Sequence, residues 1–134
     1  MQTAIKPIAI LFIMFLGISA FAQQAGGTTT PTGTEIREKV ATNIANAFAK
    51  KDYAAVRKDF AKIMLDALSE EKIKNTWEGF ITKVGEFQKV LTTTEVKEKD
   101  YNIIKKRCQF ASENATIQVT FNEENQVIGL YLKL

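Results

Sequence analysis

The chain has 134 residues, with 18 Lys and Arg against 15 Asp and Glu, a formal charge of +3, one Cys and no His. That length suits one domain with a real core, and the near balance of charge argues against a nucleic-acid partner. Without an imidazole there is no Ser-His or Cys-His catalysis and no His metal ligand; the lone Cys108 excludes an internal disulfide and a structural zinc site, so no cofactor is expected.

Residues 1–22 read as a targeting segment. Lys6 supplies the positive start, Ile8 to Ile18 form an apolar run too short for a bilayer span, and Ala20-Phe21-Ala22 is a small-x-small cleavage site. Cleavage is expected after Ala22, giving a secreted or periplasmic protein with no membrane attachment. No Cys follows the run, so the usual lipid-anchoring residue is missing. Residues 23–33, rich in Gly, Thr and Pro, read as a flexible tether, and 34–134 as one domain.

Three helices are predicted next. Thr32 and Glu35 have capping-box spacing, and Ile36, Val40, Ile44 and Phe48 recur every four residues, giving a helix over 35–50. From Tyr53 to Leu68 the apolar residues again fall at helical intervals, with Asp59 as a possible break. Ser69 then caps a helix with Glu70 and Glu71 in its first turn. Its stripe is Ile73, Trp77, Phe80, Ile81 and Val84, and Gly85 stands at its end. Trp77 is the largest candidate core residue.

After Gly85 the period changes from helix to strand. Residues 87–96, 101–110, 115–121 and 126–134 read as four strands joined by hairpin-length turns, hence an antiparallel meander. The fold class is α+β, three N-terminal helices packed against this sheet. In the third strand Ala115, Ile117, Val119 and Phe121 face one way. In the last, Ile128, Leu130, Leu132 and Leu134 alternate with Val127, Gly129 and Tyr131, so both faces carry apolar groups and both need cover, from a helix, a second copy or a ligand.

Several of these positions resemble a bacterial family of extracytoplasmic domains, domain of unknown function 3887. They are Asp52-Tyr53, Asp59-Phe60, Met64, Leu68-Ser69-Glu70, Trp77, Val84-Gly85-Glu86-Phe87 and the run from Asn125 to Leu130. The likeness covers about residues 36–132. It implies a fold similar to the nuclear-transport-factor-2-like, cystatin-like α+β class, in which a curved sheet wraps helices into a cone with an open mouth. That class hosts enzymes, ligand binders and dimerisation modules, so it implies no function by itself.

An enzymatic reading would have to use Asp59, Glu78, Tyr101, Lys106 and Arg107, and no catalytic constellation is recognisable among them; the expectation is a non-enzyme. Lys106 lies on the strand face of Ile104, Cys108 and Phe110, where it either meets an anionic ligand or snorkels to water. If the cone is open, Tyr53, Trp77, Lys106 and Phe110 would line its pocket. Ile103, Val127, Gly129 and Tyr131 would form an apolar interface on the outer face. The expected function is therefore a binding module for a small apolar or weakly anionic ligand or a peptide, with homodimerisation as the alternative.

Overall fold

The computed structural model describes residues 30–134, so the targeting segment 1–22 and most of the tether lie outside the described residues. The first helix, α1 (Gly33–Ala49), starts where the Thr32 hydroxyl accepts a hydrogen bond from the Glu35 N–H at 3.2 Å, satisfying a first-turn donor. Val40, Ala41, Ile44, Ala45, Ala47 and Phe48 are its buried face, and the alanines let the helix approach its neighbours closely. At its far end Asp52 turns the chain, and its carboxylate accepts from the Ala55 N–H to cap α2 (Tyr53–Val56).

The expected break at Asp59 is present, and its cause is the sheet. The Asp59 carbonyl accepts from the Val127 N–H at 3.0 Å, and the Ala61 N–H donates to the Val127 carbonyl at 2.9 Å, so residues 59–61 form one parallel rung on the sheet edge. A helix cannot offer those main-chain groups, so helical structure resumes only in α3 (Lys62–Ala67). Arg57 holds the two pieces together: its guanidinium donates to the Leu68 and Leu65 carbonyls at 2.8 and 2.9 Å, groups the short helix leaves unsatisfied.

The next helix, α4 (Glu70–Val84), is capped by Ser69, whose hydroxyl accepts from the Lys72 N–H. Gly85 follows with φ 88° and ψ 178°, an extended rather than left-helical conformation that side-chain-bearing residues avoid. The Val84 carbonyl accepts from Ser112 N–H and the Glu86 carbonyl from Ala111 N–H, so the end of α4 is tied to a hairpin of the sheet.

Strands β1 (Phe87–Glu98), β2 (Tyr101–Phe110), β3 (Asn114–Phe121) and β4 (Val127–Lys133) make one antiparallel meander in that order. This is the α+β class expected from the periodicities, with the middle helical stretch divided in two. The helices cover one face. Ile104, Cys108 and Phe110 of β2 and Ala115, Ile117, Val119 and Phe121 of β3 join the buried faces of α1 and α4 in a single core. Trp77 is 1% exposed and central to it, stacked on Phe48 at 4.3 Å and tilted against Phe110 at 5.8 Å. Burial of an aromatic of this size is worth about 3–5 kcal/mol, judged by what truncating such a side chain costs. Among the described residues no helix is long and apolar enough to cross a membrane.

Candidate ligand-binding cleft

The last strand shapes the site. The β3–β4 register runs Thr120 opposite Gly129 but Phe121 opposite Val127, so one extra β4 residue is accommodated in a bulge. The bulge reverses the facing of Val127 relative to the rest of the strand. Val127 is fully buried in the helix-side core, whereas Leu130 and Leu132, opposite Val119 and Ile117, turn their side chains to the same side further along.

These two leucines are only half-buried, because α4 does not close on them completely. Between them and the helix lies a pit of about 100 Å³, lined by Phe48, Leu68, Ile73, Thr76, Leu130 and Leu132. Thr76, Leu130 and Leu132 also line a wider, open cleft of about 550 Å³ that runs between α4 and β4. Asn75, Gly79, Phe80 and Lys83 form its helical wall, and Tyr131 and Lys133 its strand rim. Among the described residues the charged side chains on the lining are those two lysines. At Gly79 an added Cβ would meet no atom within 4 Å, so the wall is flat and open there.

The aromatic residues expected to line an open mouth do something else. Trp77 and Phe110 are packed in the core and touch neither the pit nor the cleft, because the inner face at the sheet centre is filled by the Phe48–Trp77–Phe110 cluster. Trp77 stands one layer behind the site, holding Phe48, whose ring is part of the pit wall. Tyr53 packs beside this core with its hydroxyl buried; burial raises its pKa, and the charges of Glu78 and Glu86 add to the shift. Neither the Tyr53 hydroxyl nor the Trp77 indole N–H has a hydrogen-bond partner among the described residues.

Lys106 is likewise outside the cleft. Its residue is only 4% exposed, and its ammonium donates to the Thr93 hydroxyl at 2.9 Å across the β1–β2 pair. Thr93 is exposed, so the lysine runs its stem through the core and ends at the rim of β1. Burial lowers its pKa, and the nearby charge of Glu38 opposes that shift.

Of the residues assigned to an outer interface, Ile103, Gly129 and Tyr131 do lie on the outer face, and Val127 does not, for the reason given by the bulge. Ile128 takes its place, around a shallow hollow of about 420 Å³ with Tyr101, Gln118 and Thr120. Tyr131 lies over Gly129: a Cβ there would sit 3.0 Å from the tyrosine ring and 3.2 Å from Thr120. The remaining polar candidates are dispersed. Asp59 sits at the helix break, Glu78 is exposed on α4, and Tyr101 and Arg107 are exposed on β2. Among the described residues no three Cys, Asp or Glu side chains gather in a way that could hold a metal.

Thr76, Gly79, Lys83 and Lys133 are not marked by the sequence pattern. The signal available was Gly79, a glycine inside a strongly amphipathic helix, where neither a turn nor a cap calls for it.

The architecture is thus an α+β domain with helices on one face of a four-stranded meander and an open cleft at the β4 side. The chain belongs to the DUF3887 family, described as proteins of unknown function, whose profile matches residues 41–130. A comparison with curated proteins finds no match. Among solved structures, the NMR structure of a protein from Ruminococcus gnavus ATCC 29149 is similar in fold, with a TM-score of 0.56 and 17% identity over 76% of this chain and 94% of that one.

Proposed function

We propose that this is an exported, non-enzymatic binding module whose site is the cleft between α4 and β4, and that it takes a small apolar or weakly anionic ligand or a peptide. The observation that carries the reading is the junction of an apolar pit with a cleft whose charged groups, among the described residues, are Lys83 and Lys133. Apolar walls with a few convergent polar groups are what small-ligand sites use. Export is supported by the apolar run from Ile8 to Ile18 and the Ala20-Phe21-Ala22 site.

Native mass spectrometry of protein purified without refolding tests it, together with titration by octanoate, an apolar chain with one carboxylate. A retained mass, or octanoate-induced shifts of the Leu130 and Leu132 methyl resonances that vanish in Gly79→Met, is the expected outcome. If no mass is retained and octanoate leaves those methyls unmoved, the cleft is not a small-ligand site.

Homodimerisation is a second reading, favoured by the outer hollow, where Tyr101 and Tyr131 are 46% and 50% exposed. It predicts a concentration-dependent dimer in sedimentation that Tyr131→Glu converts to a folded monomer. A wild type that stays monomeric at high concentration rules it out.

A further inference from the structure

We propose that the cleft is a strand-docking site: an extended segment of another polypeptide, alternating apolar with acidic residues, adds to the free edge of β4 as a fifth strand. The inference rests on the cleft being the binding site and specifies what it binds.

Leu130, Tyr131, Leu132 and Lys133 all line the cleft. Successive residues of a strand point to opposite faces, so a cavity that touches four in a row lies along the strand's edge, where the main chain itself is exposed. β4 is the last strand in the sheet order. Among the described residues, the hydrogen bonds on its outer side are the two made by Val127 to the Asp59–Ala61 rung, and none reaches the segment from Ile128 to Lys133. Unpaired strand edges are templates for an added strand.

The facing wall has room for one. Gly79 is helical, needs no left-handed conformation, and has open space where a side chain would be. A glycine there weakens the helix relative to alanine, and what it provides is clearance opposite β4. The pit beneath Leu130 and Leu132 receives one side chain of the guest. At about 100 Å³ it is smaller than the roughly 150 Å³ cavity that admits benzene, so it suits an aliphatic residue rather than an aromatic one.

Charge selects the partner. Lys83 lines the cleft from the helix and Lys133 from the strand edge, where it also borders the outer hollow that holds Glu98; among the described residues no Asp or Glu lines the cleft itself, which favours carboxylates on the incoming strand. The same feature disfavours a second copy, because two-fold pairing of β4 with β4 would bring four ammonium groups into one groove.

The test is a short capped peptide alternating valine with glutamate, added to the purified protein while amide hydrogen exchange is followed by NMR. Exchange at alternate amides between Gly129 and Lys133 should slow by about tenfold or more, and the same peptide N-methylated at alternate residues should bind about tenfold more weakly. Lys83→Glu and raised salt should each weaken the unmodified peptide. Equal binding of the N-methylated peptide, or binding that leaves the β4 amides unprotected, overturns strand addition and leaves the cleft reading standing. So does octanoate binding, blocked by Gly79→Met, with no binding of the peptide. Protection of β4 that grows with protein concentration alone assigns the edge to a second copy and overturns the proposal. If neither peptide nor octanoate binds and no mass is retained, the cleft reading falls with it.

Discussion

Lys106 shows how much a single residue's setting departs from its type. An ammonium on the inner face of a sheet, beside Ile104, Cys108 and Ile117, gives up most of its hydration and recovers one hydrogen bond, to Thr93. Burial lowers its pKa, so holding the proton opposes folding at neutral pH; the penalty fades as pH rises above the folded-state value. Lys106→Met keeps the stem and removes the charge, and should leave stability unchanged or raise it by about 1 kcal/mol in denaturant melts at neutral pH. A clear loss would mean that the Thr93 bond outweighs desolvation. Next to it, burial pushes the Cys108 thiol up to about 11, with no exposed surface on the residue. The native protein should therefore resist alkylation by iodoacetamide at pH 7 and react only on unfolding, which mass spectrometry with and without denaturant reads directly.

At the scale of elements, two glycines carry opposite expectations. Gly85 has positive φ, and a Cβ there would lie 2.7 Å from Ala111 Cβ and 2.9 Å from the Ser112 nitrogen. Gly85→Ala should cost about 1–3 kcal/mol, since both the dihedral and the β2–β3 turn would have to give. Gly79→Ala meets nothing and should stabilise α4 by about 0.5–1 kcal/mol in the same melts. The contrast also marks what the sequence discloses. Strand and helix periods locate the elements closely: β2 begins and ends at Tyr101 and Phe110 as the pattern implies. A period of two has no way to register the extra residue at the start of β4, and every facing assigned across that bulge was at risk. Val127 and Ile128 exchange faces there, Val127 turning to the core and Ile128 to the outer hollow. The cleft is hard to read for a related reason: large aromatics attract attention as pocket walls, yet Trp77 and Phe110 are core here, and beside Phe80 the helical wall is built from Asn75, Thr76, Gly79 and Lys83, which look like an ordinary solvated face.

The whole molecule is closed by a polar group rather than by more core. Arg37 of α1 pairs with Glu95 of β1 and donates to Asn125 Oδ1, in the β3–β4 turn, at 2.8 Å, while Thr34 donates to the same glutamate. One guanidinium thereby links the first helix to the first strand and to the last turn of the meander. The Arg37 hydrogen bond, followed by that of Thr34, holds the Glu95 carboxyl below its ordinary value of 4.5 in spite of partial burial. The folded-state pKa lies under the unfolded one, so the stabilisation is fully present above the ordinary carboxylate range and is lost as pH falls through the folded value. Wild type should be more stable than Glu95→Gln near neutrality, and the difference should vanish in acid below that window, measured by urea melts across the range.

The rung at Asp59–Ala61 has a consequence for solubility. A sheet edge open along its full length recruits copy after copy and grows into fibres, and proteins blunt such edges with charge, bends or cover. Here the cover is partial. The first residue of β4 is occupied by the chain's own backbone and the last carries Lys133, which leaves a landing strip of a few residues between a stopper and a charge. An edge of that length suits the short guest proposed above, and a stacking neighbour that needs the whole strand would find one end already taken.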